Sequence, residues 1–313
     1  MRVFNQIRAA IIAIALIIPL STIAIWNSAR FQEFSETSVE NQKIVALASF
    51  YPLYEFTKEV GKDKVDVSLL VPPGIEPHDW EPSIQDLQRI QQADIIIING
   101  IGFENWFEDI EKLNSELTII DSSNGINIIK EVNSDQHKDS HLDASLADPH
   151  IWLNPSLAKI QVKNIADGLI KLEPDNSPYY HDNSGNYIKK LDVLDSKIRN
   201  ELSNCSKDFV AFHNAFTYFA KEYGLNQHTI VSNEPHGEPT SKTLERIINL
   251  AKEMKIQVIF TEEGVDKRTA EVIAKELGGK ALTLSPLEIS ETNTSYIEKM
   301  EANLVNLKEA LCN

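Results

Sequence analysis

Four consecutive isoleucines, Ile95-Ile96-Ile97-Ile98, held between Asp94 and Asn99, constrain the fold of this chain more than any other stretch. A short run that is apolar at every position reads as a strand buried on both faces, and such strands belong to parallel sheets covered by helices on either side. The neighbouring segments supply the rest of that pattern. Lys43 to Ala48 and Val65 to Val71 are strand-like, and between them Tyr51 to Val60 spaces aromatic and apolar residues as a helix does. Val71 runs into Pro72-Pro73-Gly74, a strong breaker. Ser83 is placed to cap a helix through Gln92, with Asp86 as the acidic residue of its first turn. Phe103 to Leu113 then has an amphipathic helical pattern, and Leu117 to Asp121 that of another strand.

A polar stretch from Asn124 to Asp148 interrupts the alternation. Ser156 to Leu172 is helical in pattern, and Asp175 to Leu202 keeps Tyr179, Tyr187, Ile188, Leu191, Leu194 and Ile198 at helical spacing across Gly185, which predicts an unusually long helix between two halves. Alternation then resumes. Strand Asp208 to Phe212, helix Asn214 to Tyr223 stopped by Gly224, and strand Thr229 to Ser232 precede helix Thr240 to Met254 and strand Val258 to Thr261. Helix Asp266 to Leu277 ends at Gly278-Gly279, strand Ala281 to Leu284 follows, and a last helix runs from Asn293 to Leu311. No sequence repeat accompanies this, yet both halves carry the same α/β logic, and 313 residues are enough for two packed cores.

The N-terminus reads differently. Arg2 and Arg8 precede an uncharged apolar run of 18 residues, Ala9 to Trp26, the positive start and greasy centre of an export signal. Its length leaves both a cleaved signal and an uncleaved membrane anchor open. No cysteine follows it, which excludes a lipid-modified N-terminal Cys, and Asn27 to Gln42 is polar like a flexible stalk. The two cysteines, Cys205 and Cys312, are too few for a cysteine zinc cluster. Outside the cytosol they form one disulfide or stay as two thiols. A net charge of −16 argues against a nucleic-acid partner, because phosphate neutralisation needs clustered Lys and Arg, and it suits the attraction of cations.

Three histidines fall where strands hand over to loops. His78 follows the second strand, His150 follows the acidic stretch between Pro149 and Pro155, and His213 ends the strand Asp208 to Phe212. Ligands of open α/β sheets bind at the carboxyl ends of strands, and three imidazoles suit a borderline-soft divalent ion with a fourth position left to fill. A water there would permit chemistry; a carboxylate would close the site. Glu288 in Leu284-Ser285-Pro286-Leu287-Glu288 is one carboxylate candidate, and Glu262, at the end of the preceding strand, is its rival. Trp152 in Asp148-Pro149-His150-Ile151-Trp152-Leu153-Asn154-Pro155 reads as a packing residue.

These segments resemble the metal-binding solute-binding proteins of ABC importers, the zinc and manganese receptors that include the laminin-binding lipoproteins. Gly74 to Ser83 is similar to the family's first ligand loop, Asp148 to Pro155 to the second, Phe212 to Leu225 to the third and Leu284 to Glu288 to the fourth of zinc-type members. The likeness covers the chain from about Lys43 to its end. It implies an α/β fold of two Rossmann-like lobes, each a mostly parallel sheet flanked by helices, joined by one long rigid backbone helix. The implied division is a signal or anchor with stalk over 1–42, a first lobe over 43–155, connecting helices over 156–203 and a second lobe over 204–313.

The implied ligands are His78, His150, His213 and Glu288. His stands at the third position where manganese members carry a carboxylate, which points to Zn2+ as the transported ligand, with Mn2+ as the alternative cargo; imidazole-rich sites suit zinc. Many members have Asp where this chain has Ser285, so Glu288 takes the fourth place ahead of water or Glu262. The resemblance further implies a monomeric, non-enzymatic, extracytoplasmic receptor, secreted or held to the membrane by its N-terminal segment, that serves a membrane permease. Zinc members often carry a His-rich loop before the second ligand, but Gln136 to Asp148 has only His137 and His141. A secreted zinc hydrolase is the competing class, against which stands the absence of a His-Glu-x-x-His pair. An adhesion role is the third reading.

Overall fold

Along Ile95–Ile98 the side chains alternate between two separate apolar clusters, Ile95 and Ile97 facing one and Ile96 and Ile98 the other. This strand is β3 of a parallel sheet that also contains β1 (Ile44–Ala48), β2 (Val65–Leu69) and β4 (Thr118–Asp121), in the order β2-β1-β3-β4. The computed structural model describes residues 43–113, 117–130, 147–231, 239–289 and 294–312. A second parallel sheet holds β5 (Asp208–Ala211), β6 (Asn226–Thr229), β7 (Val258–Thr261) and β8 (Lys280–Thr283), in the equivalent order β6-β5-β7-β8. The same topology thus recurs without a repeated sequence.

Helices cover both sheets. They are α1 (Tyr51–Gly61), α2 (Ile84–Gln92), α3 (Phe107–Leu113), α4 (Pro155–Leu172), α5 (Ser177–Leu202), α6 (Thr217–Tyr223), α7 (Ser241–Met254), α8 (Arg268–Glu276) and α9 (Tyr296–Leu311). Ser83 and Asp86 form a reciprocal capping box at α2, and Ser295 and Glu298 form another at α9. One large cluster takes the inward residues of both sheets, Ala46, Ala48, Ile95 and Ile97 from the first and Phe209, Ala211, Val258 and Phe260 from the second. Tyr180, Tyr187, Leu191, Leu194, Ile198 and Leu202 of α5 complete it. This 26-residue helix is about 39 Å long at 1.5 Å per residue, and each large apolar side chain it buries contributes roughly 1.5–3 kcal/mol. Gly185 does not interrupt it.

Several boundaries differ from the sequence expectation. The helix expected over Asp175 to Leu202 starts at Ser177, after a 3-10 turn over Pro174–Asn176. The one expected from Phe103 starts at Phe107, because the Glu104 carboxylate turns back to accept the backbone N–H groups of Asn99 and Gly100. The strand expected over Thr229 to Ser232 lies at Asn226–Thr229, Ser232 being outside the described residues: β6 is an edge strand paired with β5 alone, which holds polar Asn226, Gln227 and His228 in its ladder, while Ile230 and Val231 pack beyond its end. Cys205 and Cys312 are joined in a disulfide that ties the chain just after α5 to the end of α9. The expected signal or anchor and stalk, as well as His137 and His141, lie outside the described residues. Among the described residues no helix is long and apolar enough to cross a membrane.

Candidate metal centre

The second sheet delivers two of the important side chains directly from its strand ends. His213 follows β5 by two residues and Glu262 follows β7 by one, and these are the adjacent central strands at which the strand order reverses. Fully buried His213 donates its backbone N–H to Glu262 Oε1 at 3.1 Å, and its Nδ1 meets Glu262 Oε2 at 2.7 Å. His150 repeats the device within three residues: its backbone N–H and its Nδ1 both meet Asp148 Oδ1, at 3.0 and 2.8 Å. A carboxylate on Nδ1 fixes the tautomer and leaves each Nε2 lone pair to face the centre.

His78 sits on the 3-10 turn Pro77–Asp79, where the Glu76 side chain accepts its backbone N–H. Its ring packs edge-on against Phe103, and its side chain keeps 15% exposure, which makes it the most accessible of the group. Glu288 reaches in from the loop after β8. Its Oε1 lies 3.3 Å from His78 Nε2, 3.3 Å from His150 Nε2 and 3.9 Å from His213 Nε2, while the two buried imidazoles stand 3.3 Å apart through Nε2.

All four donor atoms lie within 4.8 Å of one another. A tetrahedral zinc with bonds of about 2.0–2.1 Å separates its ligands by about 3.3–3.4 Å, so three of these spacings already equal a tetrahedral edge. Glu288 Oε2 is buried without a hydrogen-bond partner, an expensive state for a carboxylate oxygen that a cation relieves. The electrostatics also favour positive charge here. Burial works to lower the His150 pKa, but Asp148 and Glu288 outweigh it and push it up to about 10. Burial likewise works to raise the Glu288 pKa, and the three imidazoles hold it well below the usual carboxylate range. Glu76 is pushed up to about 9, first by burial and then by Glu288.

The chain matches the family described as "Zinc-uptake complex component A periplasmic" over residues 46–310. It belongs to that family. This ZnuA-family chain is 38% identical over 284 residues to the high-affinity zinc uptake system protein ZnuA of Bacillus subtilis, covering 87% of itself and 89% of that protein. It is 33% identical over 313 residues to the zinc-binding protein AdcA of Streptococcus pyogenes, covering 94% of itself and 61% of AdcA, so it spans about three-fifths of that longer relative. Among solved structures it resembles the laminin-binding protein of Streptococcus agalactiae, described as having adhesin and metal transporting activity, with a TM-score of 0.77 at 32% identity over 86% of this chain and 99% of that one.

The structure brings together the four residues expected from the sequence, His78, His150, His213 and Glu288. Glu262, the rival for the fourth place, is spent on the backbone N–H and Nδ1 of His213. Sequence reasoning did not single out Asp148, whose signal was its position two residues before His150, a spacing from which an Asp side chain reaches the following backbone N–H. Trp152, read as a packing residue, does pack in the core against Phe50 and Phe103, and its indole N–H also donates to the Pro286 carbonyl at 2.7 Å.

Proposed function

We propose that this chain is the extracytoplasmic substrate-binding component of an ABC-type importer and captures Zn2+ with His78, His150, His213 and Glu288. The observation that carries the reading is the convergence of three imidazole nitrogens and one carboxylate oxygen within 4.8 Å. Three nitrogen donors favour zinc over manganese, which prefers carboxylate-rich sites. The zinc-linked names of the ZnuA and AdcA relatives support the same cargo. Glu288 fills the position that a zinc hydrolase keeps for water, which supports a receptor rather than an enzyme.

On this reading residues 43–155 and 204–313 are the two lobes, 156–203 connects them, and the ion passes from their cleft to a membrane permease. The protein acts as a monomer outside the cytoplasm, and residues 1–42 direct it there and either leave it secreted or hold it at the membrane. Acid weakens capture, because only neutral imidazole is a ligand.

The test is calorimetry with chelator competition on His150→Ala. Its zinc affinity should fall by more than the roughly 10- to 100-fold that outer-shell changes cost. Unchanged affinity would sink the assignment.

A further inference from the structure

Trp152 is fully buried, and its indole finds its acceptor on a distant loop. Trp152 lies two residues after His150, and Pro286 two residues before Glu288, so the bond from Nε1 to the Pro286 carbonyl spans two of the ligand loops. The Tyr296 hydroxyl secures the donor side by donating to the Trp152 carbonyl at 2.6 Å. On the acceptor side Asn303 accepts from the Ser285 N–H and donates to its carbonyl, and Ser285 Oγ accepts the Leu287 N–H at 3.1 Å. Leu287 itself has φ 61, in the left-handed region that a non-glycine residue keeps only where its surroundings impose it. The turn that aims Glu288 is therefore strained, and Trp152 is the tie that joins it to the His150 loop.

We infer that Trp152 is a positioning residue for the fourth ligand: its indole N–H, held on the Pro286 carbonyl, sets where the Glu288 carboxylate meets the three imidazoles. The inference rests on the zinc-ligand reading of those four residues. A buried indole seeks an acceptor in any case. What gives this one a consequence is the identity of the acceptor, a carbonyl of the strained turn itself. Without the bond the turn relaxes and Glu288 Oε1 leaves the point 3.3 Å from both His78 and His150 Nε2.

The experiment compares Trp152→Phe in the wild-type and Glu288→Gln backgrounds of the full chain, using zinc affinity by chelator competition and the visible spectrum of the Co2+-loaded protein. Trp152→Phe should weaken zinc about 10- to 100-fold in the wild-type background, as outer-shell changes do. In the Glu288→Gln background it should change affinity by no more than about twofold, the usual error of additivity. Its Co2+ spectrum should move to that of Glu288→Gln. An equal loss in both backgrounds overturns the inference, since a merely packed Trp152 would support every ligand alike. Ser285→Ala loosens the same turn and should show the same dependence on background, and an equal loss in both overturns it too if Trp152→Phe does not fold. Failure of the wild-type chain to bind zinc, or wild-type affinity in Glu288→Gln, instead overturns the ligand assignment beneath it.

Discussion

Glu262 embraces His213 from two directions, one carboxylate oxygen on the backbone N–H and the other 2.7 Å from Nδ1. The carboxylate thereby sets ring orientation and tautomer together, with both partners buried. Glu262→Gln keeps the shape, loses the charge and turns an amide donor towards one of the two N–H groups. Zinc affinity should fall about 10- to 100-fold in chelator competition, the range for second-layer partners. No change would show that His213 orients itself without help.

Glu104 carries a pH dependence of a different kind. It is buried beneath Asn99 and Gly100, and burial pushes its pKa up to about 7 despite donations from Ser49 and both backbone N–H groups. A raised acid pKa means the folded chain binds the proton more tightly than the unfolded one. This group's contribution is therefore fully present below pH about 4.5 and is lost as pH rises towards 7, by about 3 kcal/mol in all. Urea unfolding at steps from pH 4.5 to 7 measures it, and Glu104→Gln should remove that part of the slope.

The Cys205–Cys312 bridge closes a loop with a sequence separation of 107 residues. A cross-link of that span restricts the unfolded chain and stabilises by about 2–5 kcal/mol. Reduction, or the Cys205→Ser, Cys312→Ser pair, should lower the urea midpoint accordingly. Zinc affinity should stay put, because none of the four proposed ligands lies beside the bridge in the chain.

Gly278 and Gly279 end α8 together but for different reasons. Gly278 has φ +66 and open space around it, so Gly278→Ala should cost about 1 kcal/mol of backbone strain. At Gly279 an added Cβ would meet the Gln257 carbonyl oxygen at 1.7 Å, just where Lys280 N–H pairs with it to start β8. Gly279→Ala should cost about 3 kcal/mol or more. Thermal unfolding of the two variants side by side tests the order, and equal losses would contradict it.

What the chain wrote locally was legible, and what it decided at a distance was not. The isoleucines of β3, the Ser83 cap of α2 and the run of α5 follow from spacing and hydrogen bonding among near neighbours, so their patterns survive in the sequence. The edge strand β6 escaped because its polar residues owe their strand to β5 rather than to themselves.

At the site, the amino-acid sequence alone determined which imidazoles lie at strand ends and, with the resemblance of four ligand loops, which residues to suspect. The residues alone left Glu262 and Glu288 both open as the fourth donor, and the resemblance put Glu288 first. What only the tertiary structure supplied is where each carboxylate points, through the register that sets β7 beside β5 with Glu262 on His213, and through the left-handed Leu287 next to Glu288, whose Oε1 lies beside the imidazoles. A carboxylate has the same chemistry in either place; the direction of its Cβ, fixed by residues tens of positions away, decides whether it meets an imidazole N–H or the centre itself.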